Sequence, residues 1–157
     1  MHPEIEALLD HAETRFLKNE ELATFKRYAA TLAQRLKVYE FLRDKEVAIF
    51  QPIANQLQEI FPQEKQENLE RSITHWVLAL RHCAMAMLLN DSVFLQERLL
   101  GWLSGIVQAH QSQEIEATIW KLLQARLKEL LSEQAIAILQ PFLDQASTIL
   151  VTANSNN

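Results

Sequence analysis

The fold is decided by residues 69–91, which read LERSITHWVLALRHCAMAMLLND. Apolar residues recur there every three or four positions, the period of one face of an α-helix. These residues are Leu69, Ile73, Trp76, Val77, Leu80, Cys83, Ala84, Met87 and Leu88. Asn90 and Asp91 are typical of a helix end, and Asp91 or Ser92 is suited to cap the next helix. The stretch therefore predicts one long helix with an apolar face.

The same period continues on both sides of this stretch. It predicts helices over residues 3–15, 19–60, 93–109, 113–131 and 133–151. Asn19 and Ser132 are predicted N-caps. Pro52 is expected to kink or break the second helix between Asp44 and Ile53, and Pro141 is expected to bend the last one. The pattern predicts a single all-α domain whose polar tail is frayed.

The composition excludes several classes of protein. The chain has 157 residues, 48% of them hydrophobic, but only two glycines and four prolines. That scarcity argues against a β-rich fold and against glycine-rich phosphate loops. A net charge of −5 without a basic block argues against a nucleic-acid partner. No apolar run reaches the ~18–20 residues that span a bilayer, so a membrane-spanning protein is not expected.

Motifs typical of catalytic or metal-binding sites are also missing from the sequence. No Ser/His/Asp order, paired-carboxylate motif or metal-spaced set of histidines and carboxylates is present. The single cysteine, Cys83, excludes an intrachain disulfide and a cysteine-rich metal site. We therefore expect no catalytic residues, no metal site and no enzymatic activity. The N-terminus has no signal-type apolar core, which predicts a cytoplasmic protein.

Four segments, taken in order, resemble the phycobiliproteins, the α and β subunits of the cyanobacterial light-harvesting phycobilisome. They are residues 12–22 (AETRFLKNEEL), 80–91 (LRHCAMAMLLND), 95–103 (LQERLLGWL) and 142–146 (FLDQA). The resemblance covers nearly the whole chain. It implies a globin-like, phycocyanin-like helical domain with a two-helix N-terminal extension. On that basis we expect the extension at residues 1–35, the globin-like core at 36–152 and the frayed tail at 153–157.

The resemblance also predicts that covalent chromophore binding is lost. In the family, a cysteine eight residues before the Leu-Arg pair carries a linear tetrapyrrole (bilin), and here that position is Ser72. A serine hydroxyl is a far poorer nucleophile than a thiolate. The positions that hold the bilin in the family are Thr74 and His75. We expect Ser72, Thr74, His75 and Trp76 to line a vestigial pocket that holds no cofactor, with a bilin bound without a covalent bond as the open alternative.

Cys83 lies on the apolar helix face, where the family attaches no bilin. It is expected to be a core residue. Attachment of a bilin to Cys83 stays open as a second alternative, on the condition that the thiol faces a cavity. Haem is not expected, because no histidine falls within the 93–107 segment to serve as an axial ligand.

The resemblance further implies a protein interface on the N-terminal extension. The family forms heterodimers by burying this helix pair against a partner, with an acidic residue paired to the Arg of Leu-Arg across the interface. Here the matching residues are Glu13 and Arg81, with a solvated glutamate and a surface arginine as the other interpretation. The apolar residues expected to need a partner are Ile5, Leu8, Leu9 and Phe16.

Beside the alternative of attachment at Cys83, these observations lead to one functional prediction and one further alternative. The chain is predicted to be a phycobiliprotein-like protein without a covalent chromophore. It would act as a protein-binding factor in assembly, regulation or turnover of the photosynthetic antenna. The expected partner is the chain itself, a phycobiliprotein subunit or another photosynthetic protein, and a dimer is expected, in the cytoplasm or at the thylakoid surface. The alternative is a carrier or sensor that binds a tetrapyrrole without a covalent bond.

Overall fold

The computed structural model describes residues 2–110 and 112–151. Within those ranges the chain forms helices and no strands, which confirms the predicted all-α fold. The helices are α1 (Pro3–Thr14), α2 (Asn19–Asp44), α3 (Glu46–Ile60), α4 (Gln66–Leu89), α5 (Ser92–Leu95), α6 (Gly101–His110), α7 (Gln113–Leu130) and α8 (Glu133–Leu150). The predicted frayed tail, residues 153–157, lies outside the described residues.

Helix α4 is the centre of the core and packs against α2, α3, α7 and α8. In the part of the chain that the structure describes, it alone is long and apolar enough to span a bilayer. However, half of its most apolar window is buried inside the protein, as expected for a core helix. It ends at Leu89 and is followed by Asn90, whose left-handed backbone has a φ of 52°. Asp91 then caps α5 by accepting the N–H groups of Val93 and Phe94, as predicted.

The predicted break in the long second helix is present, but its cause is not Pro52. Helix α2 ends at Asp44 and α3 begins at Glu46, whereas Pro52 lies inside α3. Proline has no N–H to donate to the carbonyl four residues earlier, which is that of Ala48. The guanidinium of Arg126 on α7 donates to this carbonyl instead, at 2.9 Å from Nη2 and 3.3 Å from Nε. Because this acceptor is satisfied, α3 continues through the proline.

The helix starts agree with the predictions to within one residue, except that α4 begins at Gln66, three residues before Leu69. Asn19, the predicted N-cap of α2, is its first helical residue, and Lys18 takes the cap position. The Glu21 carboxylate accepts the backbone N–H of Lys18 at 2.7 Å, which satisfies an amide that the helix cannot. The predicted cap at Ser132 is confirmed, because its hydroxyl accepts the N–H of Ala135 at 3.2 Å.

One helix differs in regularity from its prediction, and another continues through a proline. The helix expected over residues 93–109 begins at Ser92 and contains a π-helical turn, Gln96–Leu100, between α5 and α6. Pro141 lies inside α8, which extends unbroken on both sides of it. The predicted period assumes a regular α-helix, so it does not anticipate a π turn, in which the hydrogen bonds span five residues instead of four.

A buried arginine joins the N-terminal helix pair to the core. Arg35 on α2 is only 3% exposed and donates through Nη1 to the carbonyl of Leu88, near the end of α4. Its Nη2 donates to the carbonyl of Tyr28 at 3.3 Å, and its guanidinium lies 4.9 Å from the centre of the Tyr28 ring. A cation at a helix C-terminus is favoured by the helix dipole. Arg35 therefore fixes the position of α2 against the end of α4.

Candidate functional site

Three of the four predicted pocket residues lie together on the inner face of α4. Ser72, His75 and Trp76 are separated by three and four positions, so the helix places them on one face. Ser72 and Trp76 are each 1% exposed, and His75 is also buried. Thr74 points the other way: it is exposed, and its hydroxyl donates to the carbonyl of Glu70 at 2.8 Å. The structure therefore does not bring Thr74 to the site.

A buried carboxylate on α7 completes this site. Oε1 of Glu116 lies 2.9 Å from Nδ1 of His75, and Glu116 is 0% exposed. The Ser112 hydroxyl donates to the same oxygen at 3.3 Å. The sequence analysis missed Glu116. Its spacing carried a signal, because Glu116 falls three positions before Ile119 and seven before Leu123, on the apolar face of α7.

The aromatic residues close the site and leave polar atoms without partners. The ring of Trp76 stacks on that of Trp120, with centroids 5.4 Å apart and planes inclined by 18°. Five buried side-chain atoms of the described residues have no hydrogen-bond partner, and three of them, Ser72 Oγ, Trp76 Nε1 and Glu116 Oε2, lie at this site; the others are His2 Nδ1 and Arg35 Nε. Buried polar atoms are rarely left so in folded proteins. We call Ser72, His75, Trp76 and Glu116 the buried polar cluster. Three of its side-chain atoms could each form a further hydrogen bond.

Cys83 does not meet the condition for chromophore attachment. It is 0% exposed, and its thiol donates to the carbonyl of Phe142 at 3.4 Å. Burial raises the pKa of the thiol far above its ordinary value, so the nucleophilic thiolate is not formed. The thiol faces packed protein, so the condition set for bilin attachment at Cys83, a thiol that faces a cavity, is not met. In the described ranges no group of three histidine, cysteine or acidic side chains is placed to hold a metal ion.

The predicted interface residues divide into two groups. Ile5 and Leu8 are 5% and 7% exposed because α1 folds back against α2 and covers this face. The expectation that these two need a partner chain to be buried is wrong. Leu9 and Phe16 remain open to solvent, and Phe16 is 99% exposed. Only these two of the four apolar residues are available to another protein.

Glu13 and Arg81 do not meet within one chain. Glu13 is exposed on α1, whereas Arg81 on α4 forms a two-point ion pair with Glu46, at 2.6 Å from Nε and 2.9 Å from Nη2. The hydrogen bond from Arg81 holds the pKa of the Glu46 carboxyl below its ordinary value. Arg81 lines a partly open cleft of about 270 Å³ with Tyr39, Leu42, Arg43, Glu46, Leu80 and Ala84.

An all-α, globin-like domain with a long central helix and an N-terminal helix pair is the class that this fold defines. The sequence profile of the phycobilisome protein family matches residues 9–150. The chain therefore belongs to the phycobilisome protein family. Members of this family are structural light-harvesting proteins and not enzymes. No curated protein sequence matches the chain significantly.

Proposed function

We propose that the chain is a phycobiliprotein-like protein without a covalent chromophore. It acts as a protein-binding factor in assembly, regulation or turnover of the phycobilisome antenna, in the cytoplasm or at the thylakoid surface. The observation that carries this proposal concerns the two candidate attachment positions. Ser72, which the resemblance places at the family's attachment position, is 1% exposed, and Cys83 is buried as a neutral thiol. Neither side chain presents a nucleophile to a bilin.

A binding role is supported by apolar surface on the N-terminal helix pair. Leu9, Phe16, Leu22 and Phe25 are large apolar side chains that each remain at least 40% exposed. Exposed apolar residues that cluster on one region mark protein interaction sites. Since the family's members assemble into antenna complexes, another antenna subunit or a second copy of this chain is the class of partner that fits.

The absence of a covalent chromophore is tested by the absorbance of the protein purified from bilin-producing cells. We expect no visible band, before or after denaturation in acidic urea. A visible band that survives denaturation shows a covalent bilin and contradicts the proposal. The Ser72→Ala variant is the matched control, because it removes the hydroxyl at the family's attachment position without opening a cavity.

The binding role is tested by affinity purification of the tagged chain from the same cells. We expect antenna subunits to co-purify with the wild-type chain and to be depleted for the Phe16→Ser variant. Val93→Ser is the control, because Val93 is 53% exposed on α5, outside the N-terminal helix pair. Failure to recover any antenna or photosystem component with the wild-type chain contradicts the role.

A second function, non-covalent binding of a tetrapyrrole, is favoured by the buried polar cluster. Its three unpartnered atoms on Ser72, Trp76 and Glu116 are suited to the polar edge of a ligand. If the chain is a carrier or sensor, added bilin acquires a shifted absorbance band that acidic urea abolishes. The His75→Ala variant should lose this band, whereas Thr74→Ala, which changes an exposed residue of the same helix, should keep it.

A further inference from the structure

A second partly open cleft lies between α2, α8 and the end of α4. It has a volume of about 290 Å³ and shares no lining residue with the buried polar cluster or with the cleft at Arg81. Ile138, Pro141 and Phe142 of α8 form its apolar wall. Pockets for organic ligands measure ~300–1,000 Å³, so a cleft of this size suits a small one. We call it the Arg35 cleft, after the charged residue that lines it.

The cation that lines this cleft is buried against uncharged groups. Arg35 is 3% exposed, and its guanidinium donates to the carbonyls of Leu88 and Tyr28 and to the hydroxyl of Thr31. None of these acceptors carries a full charge, and the C-terminus of a helix supplies only about half of one. Because a buried charge is costly without an opposite charge nearby, the cleft is electrostatically suited to an anion.

The cleft also contains hydrogen-bond donors for an anion. Nε of Arg35 is buried without a hydrogen-bond partner, and Gln34 and Asn90 contribute side-chain amides. A ligand reaches Nε after a side-chain rotation in the cleft wall, which Gln34, half-buried, and Asn90, exposed, can make. No acidic side chain is among the described residues that line the cleft. The site therefore offers donors and positive charge without a competing carboxylate in its wall.

We propose that the Arg35 cleft binds a small organic acid. The carboxylate accepts from Nε of Arg35 and from the amides of Gln34 and Asn90, and the apolar part of the acid packs on Ile138 and Phe142. The apolar wall distinguishes such an acid from an inorganic anion such as phosphate, which gains nothing from contact with hydrocarbon. Because the site lies apart from the exposed apolar side chains of the N-terminal helix pair, this inference does not depend on the proposed protein-binding function.

The test is a titration of the isotope-labelled full-length chain with benzoate, followed by NMR at constant ionic strength. The Nε–H resonance of Arg35 reports contact at the proposed donor. We expect it to shift saturably with a dissociation constant of about 1 mM, as for a ligand of about nine non-hydrogen atoms. Benzamide is the matched control ligand, because it has nearly the same shape without the charge. Its binding should be weaker by about tenfold or more.

A variant of the cleft wall tests the site without disturbing Arg35. Replacing Arg35 would also remove the hydrogen bonds that position α2 against α4, so a loss of binding would be ambiguous. Gln34→Glu keeps the size of the side chain and adds a negative charge to the wall. Like-charge repulsion should weaken benzoate binding by about tenfold or more. Gln56→Glu adds the same charge at an exposed position of α3 and should bind benzoate as the wild type does. Circular dichroism checks that both variants are folded.

Several results would overturn this inference. One is an Arg35 Nε–H resonance that does not move at benzoate concentrations up to about 10 mM, well above the expected dissociation constant. Another is an equal response of an exposed arginine such as Arg43, which shows unspecific association of the anion. Benzamide binding as tight as that of benzoate, or equal benzoate affinities of the wild type and Gln34→Glu, also excludes the proposed carboxylate site. None of these results bears on the capture of antenna subunits.

Discussion

The buried polar cluster on α4 and α7 and the N-terminal helix pair differ in how far their side chains are exposed to solvent. In the cluster, Trp76 stacks on Trp120 and the His75–Glu116 pair lies inside the protein. In the helix pair, by contrast, Phe16 is almost entirely in solvent. The resemblance assigns the first region to a chromophore and the second to a partner. In this structure the residues of the first region are buried, whereas Leu9 and Phe16 of the second remain open to solvent.

The largest expected loss of stability comes from removing the Trp76 side chain from the buried polar cluster. Replacing Trp76 by alanine removes a fully buried indole, and we expect the free energy of unfolding to fall by about 3–5 kcal/mol. Chemical denaturation followed by circular dichroism measures this loss. Val93→Ala, on an exposed position, should change the same quantity by less than about 0.5 kcal/mol. A loss below about 1 kcal/mol for Trp76→Ala is inconsistent with a filled core at this position.

A smaller loss of stability is expected from breaking the buried contact between His75 and Glu116. Glu116→Ala leaves His75 without its partner on α7 and should lower the free energy of unfolding by about 1–3 kcal/mol. A double-mutant cycle with His75→Ala should give a coupling of about 0.5–3 kcal/mol, because the two side chains are in direct contact. Thr74→Ala serves as the control on the exposed face of α4. Additive losses in the cycle would show that the contact contributes no stability.

The smallest expected effect on stability comes from the Arg15–Glu21 ion pair in the connection between α1 and α2. Arg15 donates to both carboxylate oxygens of Glu21, at 2.9 and 2.7 Å. This hydrogen bond, together with that from the Lys18 N–H, lowers the pKa of Glu21 from 4.5 to about 2. The folded chain therefore binds this proton more weakly than the unfolded chain. The resulting stabilisation is complete above pH 4.5 and is lost as the pH falls from 4.5 to about 2.

Unfolding measurements on Glu21→Gln test this pH dependence. At pH 6 the variant should be slightly less stable than the wild type, and the difference should vanish as the pH approaches 2. Glu20→Gln, at the neighbouring exposed position, controls for the loss of one charge in the first helical turn. A difference that stays constant between pH 6 and pH 2 contradicts the assignment.

The sequence predicted those parts of the fold that depend on local pattern. Helix α4 followed from its apolar period, and its end followed from Asn90 and Asp91, because capping uses residues within a few positions. The break between α2 and α3 was attributed to the wrong residue. Arg126, which satisfies the carbonyl left by Pro52, is 78 residues away from Ala48, and no local pattern encodes that contact.

The candidate site was likewise predicted only in part. The resemblance located Ser72, His75 and Trp76, but it also included Thr74, which the helix turns outward. Glu116 was missed because its pairing with His75 joins two helices that are distant in sequence. Burial of Ile5 and Leu8 depends on how α1 folds back on α2, which periodicity does not determine.

The contact between Arg126 and the Ala48 carbonyl affects which substitutions the chain tolerates at positions 52 and 126. While Pro52 is present, Arg126 supplies the donor that the helix lacks at this carbonyl; with alanine at position 52, the helix itself would supply it. The two positions are thus epistatic, and the order of changes matters. A lineage that gains the proline before the arginine passes through a less stable chain, whereas the reverse order is nearly neutral at each step.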